Sequence, residues 1–155
     1  MNTRSFRLAL LTLATLCLLA NVAVAADGEK TGIKDINFDT IKLDLKKDEP
    51  FKRATHLTTQ VEKLDKQRIR IRGWILPSFQ QSGITQFVLV RDNKECCFGP
   101  GAALYDCILV DMEAGKSTEF TTRPVAVEGT FTLSEFLGPD GRQLAIYHLS
   151  GEKVK

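Results

Sequence analysis

Two stretches of sequence decide the fold: Ile69–Ile75, which is IRIRGWI, and Val125–Phe131, which is VAVEGTF. In both, apolar residues alternate with other residues, which is typical of a β-strand with one buried face. Both have the order apolar-x-apolar-x-Gly-x-apolar, and a glycine inside a strand usually marks a bulge or a sharp bend. Two such bends in a small set of strands predict a strongly coiled barrel. A flat meander in which the glycines occur by chance is the alternative.

Three further segments have strand-like patterns: Phe87–Val90, Tyr105–Met112 and Gln143–Leu149. A turn-rich loop, Pro77–Gly83, separates the first of them from Ile69–Ile75. With Ile69–Ile75 and Pro124–Leu133, which contain the two glycines, these segments make five predicted strands. The sequence therefore predicts a mainly β fold, a small five-stranded OB-like barrel with one short helix and an N-terminal extended segment.

The short helix is predicted from a capping-box pair, in which Thr59 is followed three residues later by Glu62. Val61 and Leu64 then fall on one face, and the helix is expected to end near Lys66. Upstream of it, apolar residues scattered among Asp and Lys predict an extended segment laid on the core. Its apolar residues are Ile36, Phe38, Ile41, Leu43 and Leu45.

The first 25 residues have the pattern of a secretory signal peptide. Arg4 and Arg7 precede an apolar run, and the small residues Ala-Val-Ala end the segment. The run is shorter than the roughly 20 apolar residues of a spanning helix. We therefore expect cleavage between Ala25 and Ala26 and no transmembrane segment in the mature chain. Export to the periplasm or beyond would place the cysteines in an oxidising compartment.

Removal of the signal peptide changes the charge balance of the chain. The 155 residues include 21 basic and 19 acidic side chains, and loss of the two arginines would leave 19 of each. A neutral chain lacks the basic excess that nucleic acids and anionic membranes select, so no nucleic-acid partner is expected. We predict a signal peptide in residues 1–25, a polar N-terminal extension in residues 26–50 and one OB-like β-barrel domain in residues 51–155.

The segment Asn93–Gly101, NKECCFGPG, has a composition that no strand explains. Two adjacent thiols, Cys96 and Cys97, precede a Gly-Pro-Gly loop that can bring backbone close to a bound group. Thiolates favour Zn, Cu(I) or iron–sulfur species, and imidazole suits Zn or Cu. The candidate metal ligands are therefore Cys96, Cys97 and His148, with Zn or Cu as the cofactor. The usual zinc spacing of about two to four residues between cysteines is absent.

Two other interpretations of the cysteines stay open. Three thiols remain after signal removal, and one bridge, between Cys97 and Cys107, would make the segment a structural disulfide. A redox enzyme using one thiol is the other interpretation, although the usual Cys-x-x-Cys pattern is missing. Recognised catalytic motifs are absent from the sequence, and no catalytic residue is assigned. A non-enzymatic binding module is favoured, with a cell-envelope protein or a transporter as its candidate partner.

Several of these segments together resemble a known family. They are Arg70–Pro77 (RIRGWILP), Phe87–Val90, Cys96–Pro100 (CCFGP) and Pro124–Gly129 (PVAVEG). The chain resembles, over most of its mature length, the exported bacterial family known as the domain of unknown function number three-two-nine-nine. The resemblance implies an exported, barrel-like domain with the vicinal cysteines as its hallmark, and it implies no activity. Cys107 is not part of the family's pattern.

Overall fold

The computed structural model describes residues 32–46, 49–92, 94 and 102–155. All of them fall within the unit Gly32–Lys155. The predicted signal peptide, its cleavage site and the two adjacent cysteines lie outside the described residues. The signal peptide, its cleavage and the roles of the two cysteines therefore stay predictions.

The described residues contain six β-strands and two short α-helices. The strands are β1 (Lys34–Ile36), β2 (Arg68–Ile75), β3 (Gln86–Val90), β4 (Cys107–Met112), β5 (Val125–Leu137) and β6 (Gln143–Val154). The helices are α1 (Arg53–His56) and α2 (Thr59–Glu62), and a 3₁₀ helix (Leu104–Asp106) precedes β4. The mainly β prediction is confirmed. The predicted numbers of five strands and one helix are wrong, because β1 and α1 were not expected.

The five predicted strands pair with one another in a closed ring. Their order is β2, β3, β4, β6 and β5, and β5 pairs again with β2. Four of these pairings are antiparallel, and the pairing of β4 with β6 is parallel. β1 joins the sheet beside β2, in parallel, outside the ring. The sheet is therefore mixed, which alternation along single strands does not predict.

β1 is held by its neighbour rather than by its own sequence pattern. Lys34 and Asp35 are exposed, and the strand contains a single apolar residue, Ile36. Its register pairs Lys34 with Ile69, and both carboxylate oxygens of Asp35 lie 3.2 Å from Nη1 of Arg70. A three-residue strand with one apolar side chain gives no periodic signal. The edge of β2 that faces away from β5 supplies the hydrogen-bonding template instead.

The two glycines expected to bend the strands lie at close approaches in the sheet. Gly129 lies at a register shift between β5 and β6, where a Cβ would overlap the carbonyl oxygen of Ser150, so the predicted bulge is confirmed there. At Gly73, β2 leaves β5 and begins to pair with β3, and a Cβ would lie 2.5 Å from the carbonyl oxygen of Val90. A side chain at either position would push one strand away from the other.

The core consists of the inward residues of the ring together with the segment before α1. In that segment Phe38, Ile41, Leu43 and Leu45 are buried, and they pack with the strand residues in one cluster. The buried hydroxyl of Tyr147 on β6 donates a 2.7 Å hydrogen bond to the carbonyl oxygen of Ile41. Because a buried hydroxyl needs a partner, this bond fixes the segment against the ring.

The N-cap of α2 is one residue earlier than predicted. Thr58 has extended backbone angles and its hydroxyl accepts a hydrogen bond from the backbone nitrogen of Val61, 3.4 Å away. The predicted cap, Thr59, is instead the first helical residue. Val61 and Leu64 are fully buried, as their spacing predicts. The helix thus exists because one apolar face packs on the core, since four residues are too short to be stable alone.

Candidate functional site

The candidate site is the connection between β3 and β4, because the two adjacent cysteines lie in it along the sequence. Cys96 and Cys97 themselves are outside the described residues. Cys107 is described: it is half-buried and is the first residue of β4, paired in register with Val90, the last residue of β3. The two ends of the connection are therefore neighbours in the sheet.

Arg91 bonds to both sides of this connection. Its backbone nitrogen donates to the carbonyl oxygen of Asp106 at 3.0 Å. Its guanidinium reaches two carboxylates: Nη1 lies 3.5 Å from Oδ1 of Asp106, and Nη2 lies 2.8 Å from Oδ1 of Asp39. We call Arg91, Asp39 and Asp106 the Arg91 clamp. It joins the end of β3, the start of β4 and the N-terminal segment at one point.

Asp106 is a buried acid, with 7% of its surface exposed. A buried carboxylate is costly unless it is paired with a cation or hydrogen-bonded. Arg91 supplies positive charge beside it. Tyr147 is nearby on β6: burial raises the pKa of its hydroxyl above the usual range, and the negative charge of Asp106 raises it further. This end of the ring is thus built from buried polar groups with specific partners.

His148 lies on β6 and is partly exposed. Its Nε2 is 2.9 Å from Oδ2 of Asp111 on β4, and its ring centroid is 5.7 Å from that of Phe136. Oδ1 of the same aspartate accepts a 2.6 Å bond from the side chain of Gln86. The imidazole therefore has a carboxylate partner and an aromatic neighbour. Of the three proposed metal ligands, it is the one among the described residues.

No three side chains of His, Cys, Asp or Glu come together as metal ligands within residues 32–46, 49–92, 94 and 102–155. The proposed set of Cys96, Cys97 and His148 takes two of its three members from outside this part. Helices long and apolar enough to cross a membrane are also absent from it.

A cleft of about 540 Å³ lies beside the second end of the connection. Leu104, in the 3₁₀ helix before β4, forms part of its wall. The remaining lining residues come from the β5–β6 hairpin and from the segment before α1: Glu49, Pro50, Glu135, Leu137, Gly141, Arg142 and Gln143. Sequence patterns did not predict this cleft, because three separate segments form it.

Two arginines of β2, Arg68 and Arg70, are paired with acids on other strands. Arg68 makes a two-pronged contact with Glu152, and the Arg68 pKa is raised by that hydrogen bond and by the charge of Glu152. Nε of Arg70 lies 2.9 Å from Oε1 of Glu128, which also accepts a 2.5 Å bond from Nζ of Lys155. These bonds hold the pKa of Glu128 below its usual range, and the Lys155 bond has the larger effect. Arg68 and Arg70 are therefore part of an ion-pair network between strands.

Sequence reasoning missed the Arg91 clamp. Arg91 is separated from Asp106 by 15 positions and from Asp39 by 52. No short motif contains such a set. A single Arg after a predicted strand was the available signal, and it is too common to single out a site.

The sequence profile of a family described as a protein of unknown function, DUF3299, matches residues 22–155. The fold is similar to the crystal structure of a DUF3299 family protein from Pseudomonas aeruginosa PAO1. That similarity has a TM-score of 0.57 and 16% sequence identity, and it covers 80% of this chain and 95% of the other. No curated protein matches the chain. Because the profile match extends over most of the sequence, the chain belongs to the DUF3299 family.

Proposed function

We propose that the chain is an exported, non-catalytic binding module whose thiols, Cys96 and Cys97, bind a soft metal ion at the connection between β3 and β4. The observation that carries the proposal is the pairing of the two ends of this connection, Val90 with Cys107. A segment with fixed, adjacent ends has fewer conformations than a free one, so less entropy is lost when its side chains bind an ion.

The chemistry of the proposed ligands selects the ion. Thiolates are soft ligands that favour Zn(II) and Cu(I) over hard cations such as Mg(II). His148 is the proposed nitrogen ligand. Its contact with Asp111 is of the kind that a metal-bound histidine usually makes with its other ring N–H, and it lies toward the end of β4 away from the connection.

The order of strands supports the OB-like barrel that the sequence predicts. An OB barrel is a five-stranded, partly open Greek-key barrel whose second and third strands form its usual binding face. In this chain the second and third strands of the ring are β3 and β4. The thiols therefore belong to the connection between the two strands that OB barrels most often use for ligands.

The signal-like residues 1–25 support the part of the proposal that concerns export. An exported binding module needs a recipient or a source for its ion. We expect that partner to be a cell-envelope protein or a transporter. The ion would be transferred by exchange of thiolate ligands.

Equilibrium binding of Zn(II) and Cu(I) to the reduced protein tests the proposal. Trp74, the single tryptophan of the chain, pairs with Val90 at the end of β3, so its fluorescence is a local reporter. We expect saturable binding of one ion that the variant Cys96→Ser/Cys97→Ser loses. The matched control is Cys107→Ser, which removes the third thiol and is expected to keep most of the affinity. Equal, weak uptake by the wild type and the double variant would reject the proposal.

A structural disulfide between Cys97 and Cys107 is the second candidate role. The position of Cys107, at the first residue of β4 and at the end of the same connection, favours it. Intact mass with and without reductant, followed by peptide mapping, separates the two roles. A bridge to Cys107 in nearly all molecules of the isolated protein would support the disulfide and count against metal binding by both adjacent thiols.

A further inference from the structure

We propose that a second cleft, on the exposed face of β2 and β5, binds a phosphate group. The cleft has a volume of about 440 Å³ and is lined by Arg70, Arg72, Pro124, Val125, Ala126 and Lys155. Among the described residues, its lining includes three basic side chains and no acidic one. The proposal does not depend on metal binding, since it uses none of the proposed metal ligands. We call this cleft the Arg72 cleft.

A small residue between two long basic ones explains why a cleft lies at this position. Ala126 on β5 lies opposite Arg72 on β2. On its other side, its backbone exchanges two 2.9 Å hydrogen bonds with the backbone of Lys155, which directly follows β6. Residues directly opposite each other on antiparallel strands share one face of the sheet. The methyl group of Ala126 therefore leaves space above the sheet, with a basic side chain on either side.

Glu128 holds two of the three basic side chains in place. Its Oε1 accepts a 2.9 Å bond from Nε of Arg70 and a 2.5 Å bond from Nζ of Lys155. The glutamate side chain is only 9% exposed, whereas those of Arg70 and Lys155 reach solvent. The exposed Asp35 adds contacts of 3.2 Å to Nη1 of Arg70. These bonds orient the two cations before any ligand arrives, which reduces the entropy that binding costs.

Donors remain available for a ligand in this cleft. Within the described part of the chain, Nη2 of Arg70 is in no hydrogen bond. Arg72 is exposed, and its side chain forms neither an ion pair nor a hydrogen bond with any described residue. Arg68 and Arg70, on the same face of β2, are both paired with acids. Arg72 is therefore the member of the basic stripe whose charge the described fold does not use.

Charge and size select the ligand. The planar fork of a guanidinium group matches the oxygens of phosphate and carboxylate. Three cations suit a ligand with more than one negative charge, and a single carboxylate carries only one. A phosphate monoester has three terminal oxygens and a charge of about −1.5 to −2 at neutral pH. The volume of the cleft lies within the range of about 300–1,000 Å³ that is typical of small-molecule sites. The ligand is therefore a small phosphate monoester or free inorganic phosphate.

Nuclear magnetic resonance titration of the reduced, metal-free, ¹⁵N-labelled protein tests the proposal. Inorganic phosphate, glycerol phosphate and acetate are added separately at about pH 7.5, where phosphate is mostly dianionic. We expect both phosphates to cause saturable shifts of the amide signals of Ala126 and Lys155, and acetate to bind at least about 10-fold more weakly.

Variants of Arg72 show whether the cleft itself binds the anion. Arg72→Ala should weaken phosphate binding by about 10-fold, the usual effect of losing a hydrogen bond to a charged group. Arg72→Lys keeps the charge without the fork and should cause a smaller loss. The matched control is Arg142→Ala, which removes the same charge from an 83% exposed arginine and should leave the affinity unchanged.

Shifts that do not saturate, or equal affinities of the wild type and Arg72→Ala, would overturn the proposal. Equal losses in Arg72→Ala and Arg142→Ala would also overturn it, because they indicate a general attraction of anions. Acetate bound as tightly as phosphate would overturn the choice of phosphate. An affinity for glycerol phosphate equal to or above that for inorganic phosphate would assign the cleft to a monoester, and a lower one would assign it to the free ion. Because the protein is metal-free, each of these outcomes leaves the proposed metal-binding function standing.

Discussion

Replacement of Gly73 by alanine tests whether the ring closes as described. At this residue β2 leaves β5 and begins to pair with β3, and the added Cβ would lie 2.5 Å from the carbonyl oxygen of Val90. It would also lie 3.0 Å from Cγ of Leu89 and 3.0 Å from Cε2 of Phe38. The closest of these atoms belongs to the backbone, so no side-chain rotation relieves the contact.

The structure gives the size of the effect. Carbon and carbonyl oxygen normally stay about 3.3 Å apart or more, so the two strands would have to separate by about 0.8 Å. The β2–β3 pairing has only two register pairs, Trp74 with Val90 and Ile75 with Leu89, and both directly follow Gly73. Overpacking of this kind typically costs about 1–3 kcal/mol, and a weakened ladder bond adds about 1 kcal/mol. We expect the free energy of unfolding to fall by about 3 kcal/mol.

Urea denaturation measures this change. With a denaturant slope of about 1–3 kcal/mol per molar, the midpoint of Gly73→Ala should fall by about 1–3 M. The matched control is Gly32→Ala, because Gly32 has no atom within 4 Å of its added Cβ. The control should stay within about 0.5 kcal/mol of the wild type. Elsewhere in a strand, alanine is more stable than glycine by about 0.5–1 kcal/mol. A Gly73→Ala variant as stable as the wild type, or more stable, would show that β2 and β3 do not approach as closely at Gly73 as described.

Three further predictions concern single side chains. Tyr147→Phe removes the bond to the carbonyl oxygen of Ile41 and should lower the free energy of unfolding by about 1–3 kcal/mol in urea; an unchanged midpoint would contradict it. Bonds from Lys155 and Arg70 hold the pKa of Glu128 below its usual 4.5. The ionised carboxylate therefore stabilises the fold above pH 4.5, and this stabilisation is lost as the pH falls through the lowered pKa. The stability difference between the wild type and Glu128→Gln should therefore shrink on acidification, and a constant difference would argue against the ion pair. Phe79→Ser, at a fully exposed side chain, should leave the urea midpoint within about 0.5 kcal/mol of the wild type, and a larger loss would mean that Phe79 packs on something.

The strands of the ring could be predicted from the sequence because each has a buried face that recurs every second residue. Ile69, Ile71 and Ile75 follow a two-residue period, with Gly73 at the position between the last two, and all three isoleucines are buried. Which strands lie beside one another in the sheet could not be predicted in the same way. The parallel pairing of β4 with β6 joins segments far apart along the chain, and alternation within a strand carries no information about which strand lies beside it.

The elements missed by sequence reasoning are those held by tertiary contacts. α1 has no buried residue, and its first turn depends on a 3.0 Å bond from the backbone nitrogen of Lys52 to Nδ1 of His56. β1 depends on the edge of β2 for its register. Both are short, and neither has an apolar period that a sequence pattern would reveal.

The candidate site also has features that the sequence shows and features that only the structure shows. Adjacent thiols are visible in a sequence because their chemistry is local, so Cys96 and Cys97 could be singled out. The Arg91 clamp is visible only in three dimensions, because its members come from the N-terminal segment, the end of β3 and the 3₁₀ helix before β4. Local chemistry thus predicts candidate ligands, whereas the meeting of side chains from distant segments depends on the topology.

X-ray absorption at the zinc edge of the Zn(II)-loaded, reduced protein identifies the atoms bound to the ion. If the adjacent thiols bind the metal, we expect sulfur neighbours at about 2.3 Å in the wild type, lost in Cys96→Ser/Cys97→Ser and kept in Cys107→Ser. A first coordination shell made only of nitrogen and oxygen atoms in the wild type would contradict the claim that the adjacent thiols bind the metal.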